Sequence, residues 1–316
     1  MRDILAFTAP IYLVAAIGYL CTRAGLFARA DMRVLGKYVV NLALPCLLFN
    51  ALAQRSLAQV LHPMFVAAYA IGSVFTLVVG IAWARRLARK PVSEAAIVGM
   101  GMSCPNSGFI GFPLVAQLLG PVVGGIALAL AMVVELFITL PLALAVAESA
   151  GAGGGTRGER LRRALLQAWR ATVRNPMIWG ITLGFLFSLA GWRLPAAMAG
   201  AVDLFAMACG ALSLFVIGGS LVGISPRGMA RDVTVVALGK LVLHPLAVLG
   251  AVLLLPPMAD ELELAVILMA AVPMVGIYPI LAQKFGHDTK AAAAQLVTTV
   301  ASFFTLPALL YVVGRL

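Results

Sequence analysis

Ten separate stretches of this chain are apolar for about the length needed to cross a bilayer. They are 4–22, 33–53, 63–84, 93–119, 123–147, 175–191, 196–223, 233–255, 261–286 and 290–314. Backbone placed in hydrocarbon must satisfy its own N–H and C=O groups, so only helices or a closed barrel can span. Runs of about 20 apolar residues select helices. Composition agrees: 62% of the 316 residues are hydrophobic and 11% are charged, against about half and a quarter in a soluble domain. The expectation is an all-α integral membrane protein. The first run has one Arg beside an Asp before it and no small-x-small site after it. It therefore reads as a membrane helix rather than a cleaved signal.

The basic residues set the orientation. Seventeen of the 23 Lys and Arg fall in alternate loops, among them 85–90, 157–174 and 284–290, and four fall in the others. The positive-inside rule then places the 148–174 loop in the cytoplasm and both termini outside. The same distribution accounts for the net charge of +11 without any nucleic acid. The four cysteines lie in or beside apolar runs with no CxxC spacing, so neither a disulfide framework nor a zinc site is expected. No nucleophile–base pair or metal cluster is visible, so no enzyme, metal or cofactor is expected.

The two halves match when 166 is added to the residue number. Pro10 pairs with Pro176, Gly18 with Gly184, Gly25 with Gly191, Phe49 with Phe215, and "TLP" at 139–141 with "TLP" at 305–307. "FPLVAQLLG" (112–120) aligns with "YPILAQKFG" (278–286). Each half holds five spans, and an odd number means that the second half enters from the opposite face. The expected organisation is a first five-helix repeat (1–149), a linker (150–174) and a second, inverted repeat (175–316). The linker begins Gly-rich and continues "RLRRALLQAWRATVR", with Arg160, Arg163, Arg170 and Arg174 opposite Leu161, Leu165 and Trp169. It reads either as a basic amphipathic helix on an anionic leaflet or as an ordinary positive-inside loop.

Spans 4 and 9 are interrupted at corresponding places, a pointer to a substrate site near the membrane midplane. In "CPNSGFIGFP" (104–113), Pro105 removes a donor and clashes with the preceding turn. Gly108 and Gly111 permit non-helical backbone. Pro113 and its twin Pro279 mark the shared break. The second link, "AVPMVGIYP" (271–279), supplies Pro273, Met274, Gly276 and Tyr278. If the links cross, the positive ends of two half-helices favour an anion there, most simply a carboxylate. Asn106 and Ser107 stand at that point. Asn106 either contacts substrate or only caps the following half-helix; its partner at +166 is Val272, so no cap is repeated.

Ionisable residues inside spans are functional candidates by default. Glu135 is a candidate for a coupling proton, a cation partner or a structural ion pair. Lys240 and His244 share one helix face. Lys240 could attract anions or neutralise Glu135, and His244 reads as a partner for a carbonyl freed by Pro245. Asn41 either faces a cavity or satisfies backbone at the Pro45 kink. Tyr278 is either a gate or an aromatic packed beside Pro279.

"NLALPCLLF" (41–49), "CPNSGFIGFPL" (104–114), "KLVLHPL" (240–246), "VPMVGIYPILAQKFGHD" (272–288) and "FFTLPALL" (303–310) together resemble the auxin efflux carrier family. That family includes plant PIN-type auxin exporters and bacterial malonate or malate permeases. The resemblance implies ten transmembrane helices in two inverted five-helix repeats with crossed broken helices 4 and 9, a fold like that of bile acid/sodium symporters and NhaA. It implies a scaffold of spans 1, 2, 6 and 7 that forms a homodimer, and a moving unit of spans 3–5 and 8–10. In plant members the crossover asparagine binds the substrate carboxylate, and Asn106 occupies the matching place. Those proteins also carry an acid and a lysine on helix 3, whereas span 3 here has no charge. Sodium-coupled relatives of the fold place a carboxylate near the second crossover. Residues 271–279 have none, so proton coupling or uniport is expected over Na⁺.

The expectation is thus a secondary transporter of small organic anions in the bacterial cytoplasmic membrane, working by elevator-type alternating access. Its partners are a small organic anion and the lipid bilayer. The alternative is a non-transporting membrane receptor or regulatory subunit on the same fold.

Overall fold

The computed structural model describes residues 2–53, 55, 62–149, 157–223 and 230–313. These are almost wholly helical, with no strand among them. The helices are α1 (Arg2–Arg23), α2 (Arg29–Ala53), α3 (Pro63–Arg86), α4 (Val92–Ser103), α5 (Ser107–Ser149), α6 (Arg157–Val173), α7 (Pro176–Ala190), α8 (Ala196–Ser220), α9 (Arg231–Leu254), α10 (Asp260–Ala271), α11 (Tyr278–Gln283) and α12 (Asp288–Val313). Six of them, α2, α3, α5, α8, α9 and α12, are long and apolar enough to cross a membrane. Further apolar helices, including α4 and α7, are shorter.

α5 is 43 residues long because it joins two expected spans. The sequence predicts a short loop between 119 and 123. Instead the reversal is made at Gly120, whose φ of 89° suits glycine. A Cβ on Gly124 would lie 2.9 Å from the Ala116 backbone nitrogen, so the arms 107–119 and 121–149 fold back on one another. Gly286, with φ 75°, stands in the short turn between α11 and α12. Gly25 (φ 81°) follows α1 and Gly191 (φ 65°) ends α7 in the same left-handed conformation.

The prolines inside these helices have a second effect. Four π-turns occur, at Val39–Ala43, Ser107–Gly111, Glu135–Thr139 and Gly239–Leu243. Each ends two residues before a proline: Pro45, Pro113, Pro141 and Pro245. A proline ring clashes with the carbonyl four residues back. In every case that carbonyl lies within the widened turn, which moves it aside. The orphaned carbonyls must then find donors in a site without water. Ser213 of α8 donates to Phe109 O (3.1 Å), the carbonyl four residues before Pro113. Thr172 of α6 donates to Leu136 O in the third turn (2.9 Å).

α1 packs on α8, and α7 packs on α2, through glycines that let backbones touch. A Cβ on Gly18 would lie 2.1 Å from Phe215 O, and one on Gly184 would lie 3.1 Å from Phe49 O. At one end of the bundle, Lys90 bridges Glu94 (2.9 Å) and Asp232 (2.5 Å), while Lys290 reaches Glu94 (2.9 Å) and Asp232 (3.7 Å). This cluster ties together the starts of α4, α9 and α12. The linker forms helix α6 from Arg157. Its Trp169 meets Phe137 of α5 with ring centroids 5.7 Å apart, so α6 docks on protein there. The Gly-rich 150–156 lies outside the described residues.

Candidate functional site

α4 stops at Ser103 and α10 at Ala271, and helix resumes at Ser107 and Tyr278. The two non-helical links lie antiparallel, side by side. Asn106 N–H donates to Pro273 O (2.8 Å) and Val275 N–H to Cys104 O (2.9 Å), on either side of a Pro105–Met274 bridge. Residues 104–106 and 272–274 are buried. Broken backbone inside a bilayer is tolerated only where its polar groups find partners. Here each link is the other's partner.

Asn106 is 3% exposed and begins the second arm of the first break. Its Oδ1 accepts from Phe109 N–H (3.3 Å), so the capping reading holds for the oxygen. No group among the described residues accepts from its Nδ2. That nitrogen lies 3.7 Å from where a Cβ on Gly276 would be, beside the second link. The next side chain, Ser107, donates to Glu135 Oε1. Tyr69 of α3 donates to the same oxygen (2.7 Å), and the two hydroxyls are 3.3 Å apart. Glu135 is 3% exposed, so these hydroxyls replace the water a carboxyl group would otherwise bind. Through Ser107, the acid of the second arm holds the start of the first.

Lys240 belongs to a different cluster. Among the described residues it makes no direct ion pair with Glu135, although the two buried groups stand close enough to act on each other through charge. Its Nζ donates to Ala270 O (2.5 Å) in the last turn of α10 and lies 3.0 Å from His244 Nδ1. A cation at a helix C-terminus suits both the dipole and the unpaired carbonyls there. His244 presents Nδ1 to Lys240 and Nε2 to α3, and its tautomer sets which of the two donates. That Nε2 meets Ser73 Oγ at 2.9 Å. His244 thus links Lys240 to α3 and also reaches the Ala270 carbonyl at the end of α10. Tyr69 and Ser73 stand one turn apart on α3, so the uncharged stretch 63–84 holds both clusters through hydroxyls.

The remaining expected residues divide clearly. Asn41 is exposed, and its Nδ2 donates to Lys37 O (2.7 Å), which is the kink-satisfying reading. Tyr278 is 2% exposed, and its hydroxyl donates to Ile97 O of α4 (3.0 Å), which packs it against the first broken helix. Gly108 packs near α2: a Cβ there would lie 3.0 Å from Leu44 Cδ1. Pro113 and Pro279 stand in the first turns after the links. Sequence reasoning missed Tyr69, Ser73 and Gln295. Gln295 Nε2 donates to Gly276 O (3.1 Å). The available signal for the α3 pair was the i, i+4 spacing of two polar residues in an apolar helix.

Two paired breaks, with an unengaged amide between them and buried charges behind it, suit a solute-binding site rather than a reaction centre. The family described as "Membrane transport protein" matches residues 4–312. The chain belongs to this membrane transport protein family. The resemblance to auxin efflux carriers is thereby upheld. An "Uncharacterized transporter YfdV" of Escherichia coli (strain K12) is 25% identical over 97% of this chain and 96% of its own length. A "Putative malonate transporter" of Rhizobium meliloti (strain 1021) is 25% identical over 99% and 97%. An "Uncharacterized transporter" of Methanothermobacter thermautotrophicus is 23% identical over 94% of both. As a member of the membrane transport protein family, the chain is a multi-pass membrane protein and not an enzyme.

Proposed function

We propose that this protein is a secondary transporter of small organic anions that binds a carboxylate where the two broken helices cross. The observation that carries the reading is the unengaged Asn106 Nδ2 beside two hydrogen-bonded links. Two N–H groups at the start of α5, those of Ser107 and Gly108, also lack an acceptor among the described residues, and the positive end of the α5 dipole adds to them. A relative named "Putative malonate transporter" supports the substrate class.

The proposed architecture is ten transmembrane helices in two inverted five-helix repeats. Support comes from pairs related by 166: left-handed Gly25 with Gly191, and Gly120 with Gly286. The contact of Gly18 with Phe215 is matched by that of Gly184 with Phe49, the same relation with the halves exchanged. We assign α1, α2, α7 and α8 to a scaffold that also forms a homodimer, and the rest of the bundle to a moving unit in an elevator. Lys90, Asp232 and Lys290 meet at one end, as loops sharing the cytoplasmic face would require, with both termini outside. Glu135 is the candidate proton carrier, because Ser107 joins it directly to the substrate link. Lys240 supports the site from behind by capping α10.

Uptake of small carboxylates into proteoliposomes, with wild type beside Asn106→Ala, tests the assignment. The expected result is saturable uptake that falls at least tenfold in the variant. Unchanged uptake would sink the site.

A further inference from the structure

Gly276 has no structural reason to be glycine. Its φ is not in the left-handed region that five other glycines occupy. A Cβ built on it would meet nothing closer than 3.7 Å, which is ordinary van der Waals contact. By comparison, a Cβ on Gly101 would lie 2.6 Å from the Tyr278 hydroxyl, so packing demands glycine there. What Gly276 preserves is a space. That space is reached from outside, since Gly276 and Gln295 are both partly exposed.

The three atoms bordering it are informative. Asn106 Nδ2 is 3.7 Å from the Cβ point, Gln295 Nε2 is 3.8 Å and Ile217 Cδ1 of α8 is 4.0 Å. Gln295 uses one N–H to donate to Gly276 O, which holds the amide against the second link and leaves its other N–H free. Neither N–H of Asn106 Nδ2 is engaged. That point is one C–C bond, about 1.5 Å, from Gly276 Cα, so a carboxylate would lie beyond it, over the glycine face and between the two amides that flank the point. From there its two oxygens would each face one amide N–H, and a planar carboxylate has one oxygen for each.

We propose that Gln295 is a second substrate-binding residue, opposing Asn106 across the open face of Gly276, so that a carboxylate is held between two neutral amides. This rests on the crossover reading above and adds to it a residue from α12 and a mode of recognition. Among the described residues, none of the three atoms nearest that space belongs to a cation; Lys240 is fully buried and engaged by Ala270 O and His244. The planar carboxylate is matched by donors on two sides, while Ile217 closes the third with a methyl group. Because Ile217 belongs to α8, Asn106 to the first link and Gln295 to α12, the carboxylate sits where those parts meet.

The test is uptake of radiolabelled malonate, and of acetate as the monocarboxylate, by proteoliposomes carrying wild type, Gly276→Ala, Gln295→Ala, Asn106→Ala or Gly210→Ala. Gly210 on α8 has open space at its Cβ and serves as the control. Gly276→Ala should keep the wild-type melting temperature yet lose uptake at least tenfold, because the added methyl projects between the two amides and pushes the carboxylate away from them. Gln295→Ala should raise KM about tenfold, the factor for one interaction of about 1.4 kcal/mol. Gly210→Ala should match wild type. Loss of uptake in Asn106→Ala with wild-type kinetics in Gly276→Ala and Gln295→Ala would overturn this inference alone. Wild-type kinetics in all three would overturn the crossover reading with it.

Discussion

The two links that meet at the centre of this protein are built differently. The first, at 104–106, is wholly buried and is held by side chains: Ser107 and Tyr69 on Glu135, Ser213 on Phe109 O. The second, from Val272 to Ile277, is buried only as far as Met274; beyond it Ile277 is 46% exposed. It contributes backbone and an empty space at Gly276, and it is fastened from outside by Lys240 before it and Tyr278 after it. The difference teaches that two similar breaks can serve unlike ends. One presents a fixed polar side chain, and the other leaves room beside it.

Cutting the fastenings one at a time would sharpen this contrast. Lys240→Met should have the largest effect on stability, because it leaves Ala270 O and the His244 imidazole buried without the amine they share. Each such group costs about 1–3 kcal/mol, so the melting temperature in detergent should fall well below wild type. Tyr69→Phe removes one of two hydroxyls on Glu135 and should cost about 1–3 kcal/mol. It should also reduce carboxylate uptake more than its stability loss explains, since Ser107 and Asn106 are held through the same acid. Tyr278→Phe should be mildest, about 0.5–1.5 kcal/mol, because it frees only Ile97 O within α4. Its uptake per folded molecule should stay near wild type. If Tyr278→Phe instead abolished uptake while Tyr69→Phe left it intact, the contrast between the links would be reversed.

The breaks were legible because proline and glycine constrain backbone whatever surrounds them. Pro105, Gly108 and Pro279 announced where helix stops, and the offset of 166 announced that the stops are paired. Gly25, Gly120, Gly191 and Gly286 carry that offset into the backbone as left-handed turns. The partners of the buried charges were not legible. Glu135 and Lys240 act on each other through charge, yet the hydrogen bonds of each go to neutral partners that the sequence does not announce. Those partners, Tyr69 and Ser73, differ from ordinary residues of an apolar helix only in where they point. Gln295 was hidden for the same reason: its meaning lies in its distance from Gly276, which is 19 positions away in the chain. The four π-turns follow from proline once seen, but Pro10 and Pro307 sit inside helices without one, so proline alone does not predict them.

The central claim is that the crossing binds a carboxylate through the Asn106 amide. Titration calorimetry of malonate and acetate into purified wild type and Asn106→Ala tests it most directly. The account predicts that wild type binds at least one of them, and that the variant binds it at least tenfold more weakly at an unchanged melting temperature. Equal affinity in the two proteins would contradict it.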